Sequence, residues 1–254
     1  MNEKLRRPLF EYLLRLGDNV LILGQRLGEW VGHGPALEEE MANANLALDL
    51  IGQARLWLTY AGEVEGRGRD EDRLAFLRHQ HEFRNVLLVE RPNGDYAHTI
   101  VRQFFFDAWH CLLLTELKKS ADARMAGIAE KSLKEATYHL ERSEDWVVRL
   151  GDGTEESHGR MLRAVDELWT YTGELFQADA VDHALCEAGI APDPSGLCEP
   201  WQQHVRRVFG EATLPVPGES WMQSGGKQGR HTEALSYLLA EMQFLQRAYP
   251  GAQW

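Results

Sequence analysis

From Ile100 through Phe104, Asp107, Cys111 and Leu114, residues sharing one helical face recur in steps of four and three, within and just before the run Phe104–Leu117 that reads FFFDAWHCLLLTEL. A segment this apolar and this periodic packs as a buried helix. It also places an ionisable group, Asp107, on the face where packing favours carbon. Three residues further on stands His110, so a carboxylate and an imidazole lie on neighbouring turns. That spacing is the start of a metal-ligand pattern, and its meaning depends on whether other helices complete it.

The same helical period runs through most of the chain, with no strand alternation and no internal repeat. The expected fold is therefore all-α, a single domain over 1–254 with a hydrophobic core of its own. Helix 1 is expected from Pro8, a favoured helix-start residue, to the break at Gly32, on the seam Leu9, Leu13, Leu16, Val20, Leu23, Leu27 and Trp30. Gly17, Gly24 and Gly28 each weaken a helix interior by roughly 1 kcal/mol relative to Ala. Either a neighbouring helix comes close enough to offset this, or the helix is simply looser there.

Helix 2 follows Pro35, with Leu37, Met41, Ala44, Leu48, Ile51 and Leu58 as its core seam, Arg55 in register, and Asn45, Asp49 and Gln53 as the solvated edge. After an exposed loop over 63–72, helix 3 is expected over 73–89. One of His79 and His81 then faces solvent and the other is a structural histidine, because residues two apart point to different sides. Pro92-Asn93-Gly94 turns the chain into helix 4, opened by Tyr96. Helix 5, over 125–150, has a half-polar seam of Ile128, Ser132, Glu135, His139, Arg142 and Trp146, in which Glu135 and His139 are spaced to meet.

Helix 6 is expected over 159–176, burying Leu162, Val165, Leu168 and Leu175, followed by a short helix over 179–188. Pro192, Pro194, Gly196 and Pro200 make 190–200 a covering loop or linker before a helix over 201–212. An irregular arm occupies 214–230, and a last helix runs from an N-cap at Thr232 to Tyr249.

A formal net charge of -12 and an isoelectric point near 5.3 argue against nucleic acid, whose phosphates need a basic surface, and against an anionic membrane face. Glu11, Arg15 and Asp18 interrupt the apolar run a signal peptide needs, and no stretch approaches the ~20 apolar residues of a membrane helix. Cys111, Cys186 and Cys198 form no disulfide framework and no Cys-x-x-Cys pair. A cytoplasmic protein is expected.

A carboxylate-bridged di-iron site takes one Glu from each of two helices and a Glu-x-x-His pair from each of two others. Here the count fails. Three residues after Asp49 comes Gly52, and three after Glu135 comes Tyr138, with His139 one place out of register. Helix 1 offers Asp18 at most. The chain is thus expected to hold no metal and no catalytic residue, and its buried carboxylates to find partners among Arg55, Arg102, Arg142 and His110. Ser224-Gly-Gly-Lys-Gln-Gly-Arg-His lacks the order of a phosphate loop. It does set Lys227, Arg230 and His231 with free amides before a helix N-terminus, as an anion site or as a flexible connection.

The stretches LRLGDN (14–19), QRLGEW (25–30), LDLIGQAR (48–55), LLVERPNGDYAHTI (87–100), DAWH (107–110), KEATYHLERSEDW (134–146), GGKQGRHTE (225–233) and LAEMQFLQRAYPGAQW at the C-terminus carry a likeness. Through them the chain resembles, over nearly its whole length, the C-subunit family of bacterial ring-1,2-phenylacetyl-CoA epoxidases, the multicomponent monooxygenases of phenylacetate degradation. The resemblance implies a ferritin-like helical bundle with additional C-terminal helices. It also implies a structural role beside a related catalytic subunit that holds the di-iron site, with other subunits or a second copy as further partners. In such a complex O2 and electrons from NADPH, delivered by a flavin and iron-sulfur reductase subunit, epoxidise the aromatic ring of phenylacetyl-CoA. A self-sufficient di-iron oxidase and a helical binding protein unrelated to oxygen chemistry are the alternatives.

Overall fold

The structure is a computed structural model that describes residues 3–252. Met1 and Asn2, at the head of the segment read for a leader, and Gln253 and Trp254, at the end of the last matching stretch, lie outside the described residues. Among those described there are ten α-helices and no strand, so the chain is all-α. None of these helices is long and apolar enough to cross a membrane. The chain divides into two compact units, 1–92 with 225–254, and 93–224.

The first unit is built on α1 (Glu3–Gly28) and α2 (Leu37–Glu65). Helix α1 starts five residues before Pro8, which lies inside it, and the seam Leu9, Leu13, Leu16, Val20, Leu23 and Leu27 is buried as expected. The glycines divide into two kinds. A Cβ at Gly17 would stand 2.7 Å from Leu58 Cδ2, and one at Gly24 3.3 Å from Ala47 O, whereas at Gly28 it would meet nothing within 4 Å. Close approach to α2 therefore accounts for Gly17 and Gly24.

Helix α2 departs from the expected orientation. Its core side is Leu46, Leu50, Gln53, Ala54, Trp57, Leu58 and Ala61. Of the expected seam, Leu37, Met41, Leu48 and Ile51 are exposed, while Gln53, expected at the solvated edge, is buried. The helix is apolar on two opposite sides, so its pattern alone does not say which side faces inward.

Helix 3 is also different from expectation. It ends after six residues, as α3 (Glu71–Phe76), and the chain continues through 3-10 turns at Gln80–Glu82 and Leu87–Glu90. Distant side chains hold this segment where helical hydrogen bonds would otherwise form. Arg78 pairs through both terminal nitrogens with buried Asp18, Arg84 N donates to Asp18 Oδ2 at 2.8 Å, and Val86 N donates to Asn19 Oδ1 at 2.8 Å. His79 and His81 are both exposed and stack with ring centroids 6.0 Å apart, so neither is a core histidine.

The unit is closed by the end of the chain: a turn at Gly226–Gln228, then α9 (Glu233–Met242) and α10 (Phe244–Ala248), two helices where one was expected. Thr232 occupies the N-cap position, but its side chain makes no capping bond.

The second unit comprises α4 (Tyr96–Leu117), α5 (Ala123–Gly151), α6 (Glu155–Trp169), α7 (Ala180–Glu187) and α8 (Cys198–Glu211). Four of its five helix starts are capped by side chains, α8 being the exception: Asp95 accepts from His98 N, Asp122 from Arg124 N and Met125 N, Thr154 from Ser157 N, and Asp179 from Val181 N and Asp182 N. Helix 6 stops at Trp169, short of the expected 176, because the chain turns into a separate 3-10 segment, Gly173–Phe176, that buries Leu175; Leu162 faces solvent instead.

Aromatic rings fill the space between α4 and the later helices. Phe105 lies 5.7 Å from Trp169, 5.6 Å from Trp201 and 6.0 Å from Phe209 between ring centroids, and Trp201 Nε1 donates to Phe105 O at 3.0 Å. Glu144 ties α5 to α8 by accepting from His204 (2.6 Å) and Arg207 (2.7 Å). The arm then runs without helix to residue 224, anchored by Gln223 N donating to Thr170 O at 2.7 Å and by Met222 packed on Gly173.

Candidate functional site

Asp107 is buried in α4, as its place in the apolar face required. Its partners are neutral. Gln103 Nε2, one turn earlier, donates to Oδ1 at 2.8 Å, and Ser143 Oγ, across on α5, donates to Oδ2 at 2.9 Å. Neither was identified from the sequence, since an amide and a hydroxyl carry no motif. Burial pushes the Asp107 carboxyl up to about 7, against the two hydrogen bonds and the charge of Arg142, which pull it down.

His110 is buried one turn on, with its ring 5.0 Å from that of Phe106, and its Nδ1 has no hydrogen-bond partner. Burial, together with the repulsion of His139, pushes it down to about 3, so the ring is neutral. Of the arginines expected as partners, Arg142 acts on Asp107 through its charge while donating to Tyr96 Oη at 3.0 Å, Arg102 donates to Asn93 Oδ1 at 2.7 Å, and Arg55 lies on the surface beside Glu71. Cys111 is an inert thiol, pushed up to about 12 by burial and by Asp107, Glu144 and Glu141.

The donor set does not fit a di-iron centre. Both oxygens of Asp107 are taken by hydrogen-bond donors, and Asp18 is committed to Arg78 and Arg84 N. Gly52 has no side chain, Tyr138 points outward at 53% exposure, and Glu135 is half-buried on α5. His139 is buried, on the side of α5 that also buries Ser132, Ala136 and Ser143. Among the described residues no group of three or more His, Cys, Asp or Glu is disposed to hold a metal ion.

The glycine-rich segment at 224–231 is also corrected. Lys227 is buried. The amides of Gln228 and Arg230 both donate to Gly225 O and that of Gly229 to Gly226 O, so they are not free for a ligand. The anion at this helix start is internal. Buried Glu90 accepts from Thr232 N at 2.6 Å, from His231 Nδ1 at 2.9 Å and from Asn85 Nδ2 at 3.0 Å. Glu90 gave no signal in the sequence because it sits among Leu87, Leu88 and Val89 with no periodic mark.

A protein of Escherichia coli (strain K12) described as the C subunit of 1,2-phenylacetyl-CoA epoxidase is 54% identical over 246 residues, covering 97% of this chain and 99% of that protein. A family model described as Phenylacetic acid catabolic protein matches residues 1–254, and this family is ferritin-like and helical. With the whole chain matched, and with more than half of its residues shared with a member over nearly full length, the protein belongs to the Phenylacetic acid catabolic protein family.

Proposed function

We propose that this chain is a non-catalytic structural subunit that pairs with and supports the di-iron catalytic subunit of a phenylacetyl-CoA ring 1,2-epoxidase, in the cytoplasm, during aerobic phenylacetate degradation. The relative described as the C subunit of such an epoxidase supports the setting. The observation that carries the non-catalytic role is the buried Asp107–His110 pair of α4: its carboxylate is held by the neutral donors Gln103 and Ser143, and among the described residues no further His, Cys, Asp or Glu joins it in a group disposed to hold a metal ion. In this reading 1–254 acts as one ferritin-like domain. Iron belongs to the catalytic partner, and flavin, iron-sulfur and NADPH belong to the reductase.

The surface offered to the catalytic subunit includes the arm, where Trp221 and Val216 are both exposed. Gly17 and Gly24 of α1 do not serve it, since they are used against α2. Arg230 is exposed and is the charged contact left to the arm for an anionic partner or the CoA moiety, Lys227 being buried.

Co-expression with the catalytic subunit, followed by co-purification, metal analysis and turnover of phenylacetyl-CoA, tests this. Iron should follow the catalytic subunit, and this chain alone should carry none in stoichiometric amount. About two irons on the isolated chain with a carboxylate-bridged spectrum, or a catalytic subunit that turns over fully without it, would overturn the reading.

A further inference from the structure

Glu90 and His231 meet in the interior of the first unit, where the side chains of both are 0% exposed. Each ring nitrogen of His231 faces an acceptor: Nδ1 stands 2.9 Å from Glu90 Oε2, and Nε2 stands 3.0 Å from Phe83 O. A carbonyl oxygen accepts and does not donate, so Nε2 carries a hydrogen, and a neutral imidazole has no second one for Nδ1. The Nδ1 contact therefore holds a further proton, on the ring or on the carboxyl group. Without it, a nitrogen lone pair would point at a carboxylate oxygen in a site closed to solvent.

The surroundings fix this arrangement. Thr232 N donates to Glu90 Oε1 at 2.6 Å and Asn85 Nδ2 donates to Oε2 at 3.0 Å, so the carboxyl group is gripped at both oxygens and held toward the ring. The neighbouring charges have partners of their own. On α1, Arg26 donates to Glu90 O through Nε and Nη2 and pairs with Glu29 at 2.6 Å. Within 77–92, Arg84 donates to Phe83 O at 2.8 Å and pairs with Glu11, Arg78 pairs with Asp18, and His79 and His81 are exposed. In the closing segment Lys227 is buried, Arg230 is exposed, and Glu233 accepts from Tyr237 Oη at 2.8 Å. Among the described residues no arginine or lysine nitrogen stands on the Glu90 carboxyl group, so a proton is what joins it to the ring.

We propose that the Glu90–His231 contact is a proton-held latch: the pair keeps one proton while residues 225–252 are docked on 77–92, and losing it loosens that segment. The inference is independent of the pairing with a catalytic subunit.

Opening the segment returns both groups to water, where an imidazole has released its proton above pH ~6.5 and a carboxyl group above ~4.3. Above pH ~6.5 the docked pair thus holds one proton more than the open pair, and docking weakens as pH rises. Hydrogen exchange of the full chain, corrected for the intrinsic pH dependence of amide exchange, reads this opening. The opening constant of 225–252, and of the 77–92 amides it covers, should rise about tenfold per pH unit above ~6.5 while the docked pair keeps its proton. In Glu90→Gln the carboxamide presents to Nδ1 a hydrogen that does not titrate, so the slope should vanish. His231→Gln should abolish it as well, and either variant suffices where the other does not fold. A wild-type opening constant that stays the same from pH 7 to 9 overturns the proposal. So does a slope that persists in either variant, which would place the proton on another group.

Discussion

Burial governs both ionisable groups of the α4 seam, and it moves them in opposite directions. With Asp107 raised to about 7 and an unfolded carboxylate at ~3.9, the native state holds a proton that the unfolded state has released across that window, so this group's contribution to stability declines as pH rises. With His110 lowered to about 3 and an unfolded imidazole at ~6.5, the unfolded state holds the extra proton, so stability rises with pH through that window. Between pH ~4 and ~6.5 the two slopes oppose one another. Relative to wild type, Asp107→Asn should gain stability from pH 4.5 to 6.5 and His110→Gln should lose it, read from urea midpoints at the two values. Parallel curves for all three proteins would remove both groups from the linkage. Asp107→Ala is harsher, because it opens a small cavity, takes away the acceptor of the Gln103 amide and leaves the Ser143 hydroxyl its bond to Leu140 O. A loss of ~2–4 kcal/mol is expected in denaturant unfolding, with complex turnover falling only in proportion to lost assembly.

At the scale of elements, the glycines of α1 give a paired test. Gly17→Ala drives a methyl to within 2.7 Å of buried Leu58 and should destabilise by ~1–2 kcal/mol. Gly28→Ala meets nothing and should be neutral or stabilise by up to ~1 kcal/mol in the same melt. Equal effects at the two sites would show that contact with α2 is not the reason for Gly17. Helices with one apolar stripe were legible in the sequence, as α1 and the buried run of α4 show. Helix α2 was legible as a helix but not in its orientation, because both of its opposite sides are apolar and the outer one has the cleaner period. Residues 77–92 were not legible at all: their backbone is held by Asp18 and Asn19, some sixty positions away, and short-range periodicity carries no trace of such bonds. The site followed the same rule. Asp107 and His110 stood out as polar residues in an apolar face, whereas Gln103, Ser143 and Glu90 became visible only through their contacts.

For the molecule as a whole, the first unit is discontinuous: it needs residues 1–92 and 225–254, with all of 93–224 made between them. The late segment is joined to the early one by buried polar groups as much as by apolar packing. His231 bridges Glu90 Oε2 at 2.9 Å and Phe83 O at 3.0 Å, and Gln243 Nε2 donates to Ala75 O and Arg78 O at 3.0 Å each. Gly226 and Gly229 lie so close to Asn85 O and His81 O that a Cβ there would stand 2.1 Å and 2.2 Å away. Glu90 is fully buried, so removing His231 takes away the ring nitrogens that hydrogen-bond Glu90 Oε2 and Phe83 O, and each buried group left without its partner costs ~1–3 kcal/mol. His231→Ala should therefore release the C-terminal segment first. In hydrogen exchange, protection should fall across 225–252 and in 77–92, where the partners lie, by about the same free energy, while 93–224 keeps its protection. A loss spread evenly over 93–224 would show instead that the chain opens as one cooperative block, and unchanged protection throughout would show that the His231 contacts add nothing to closure.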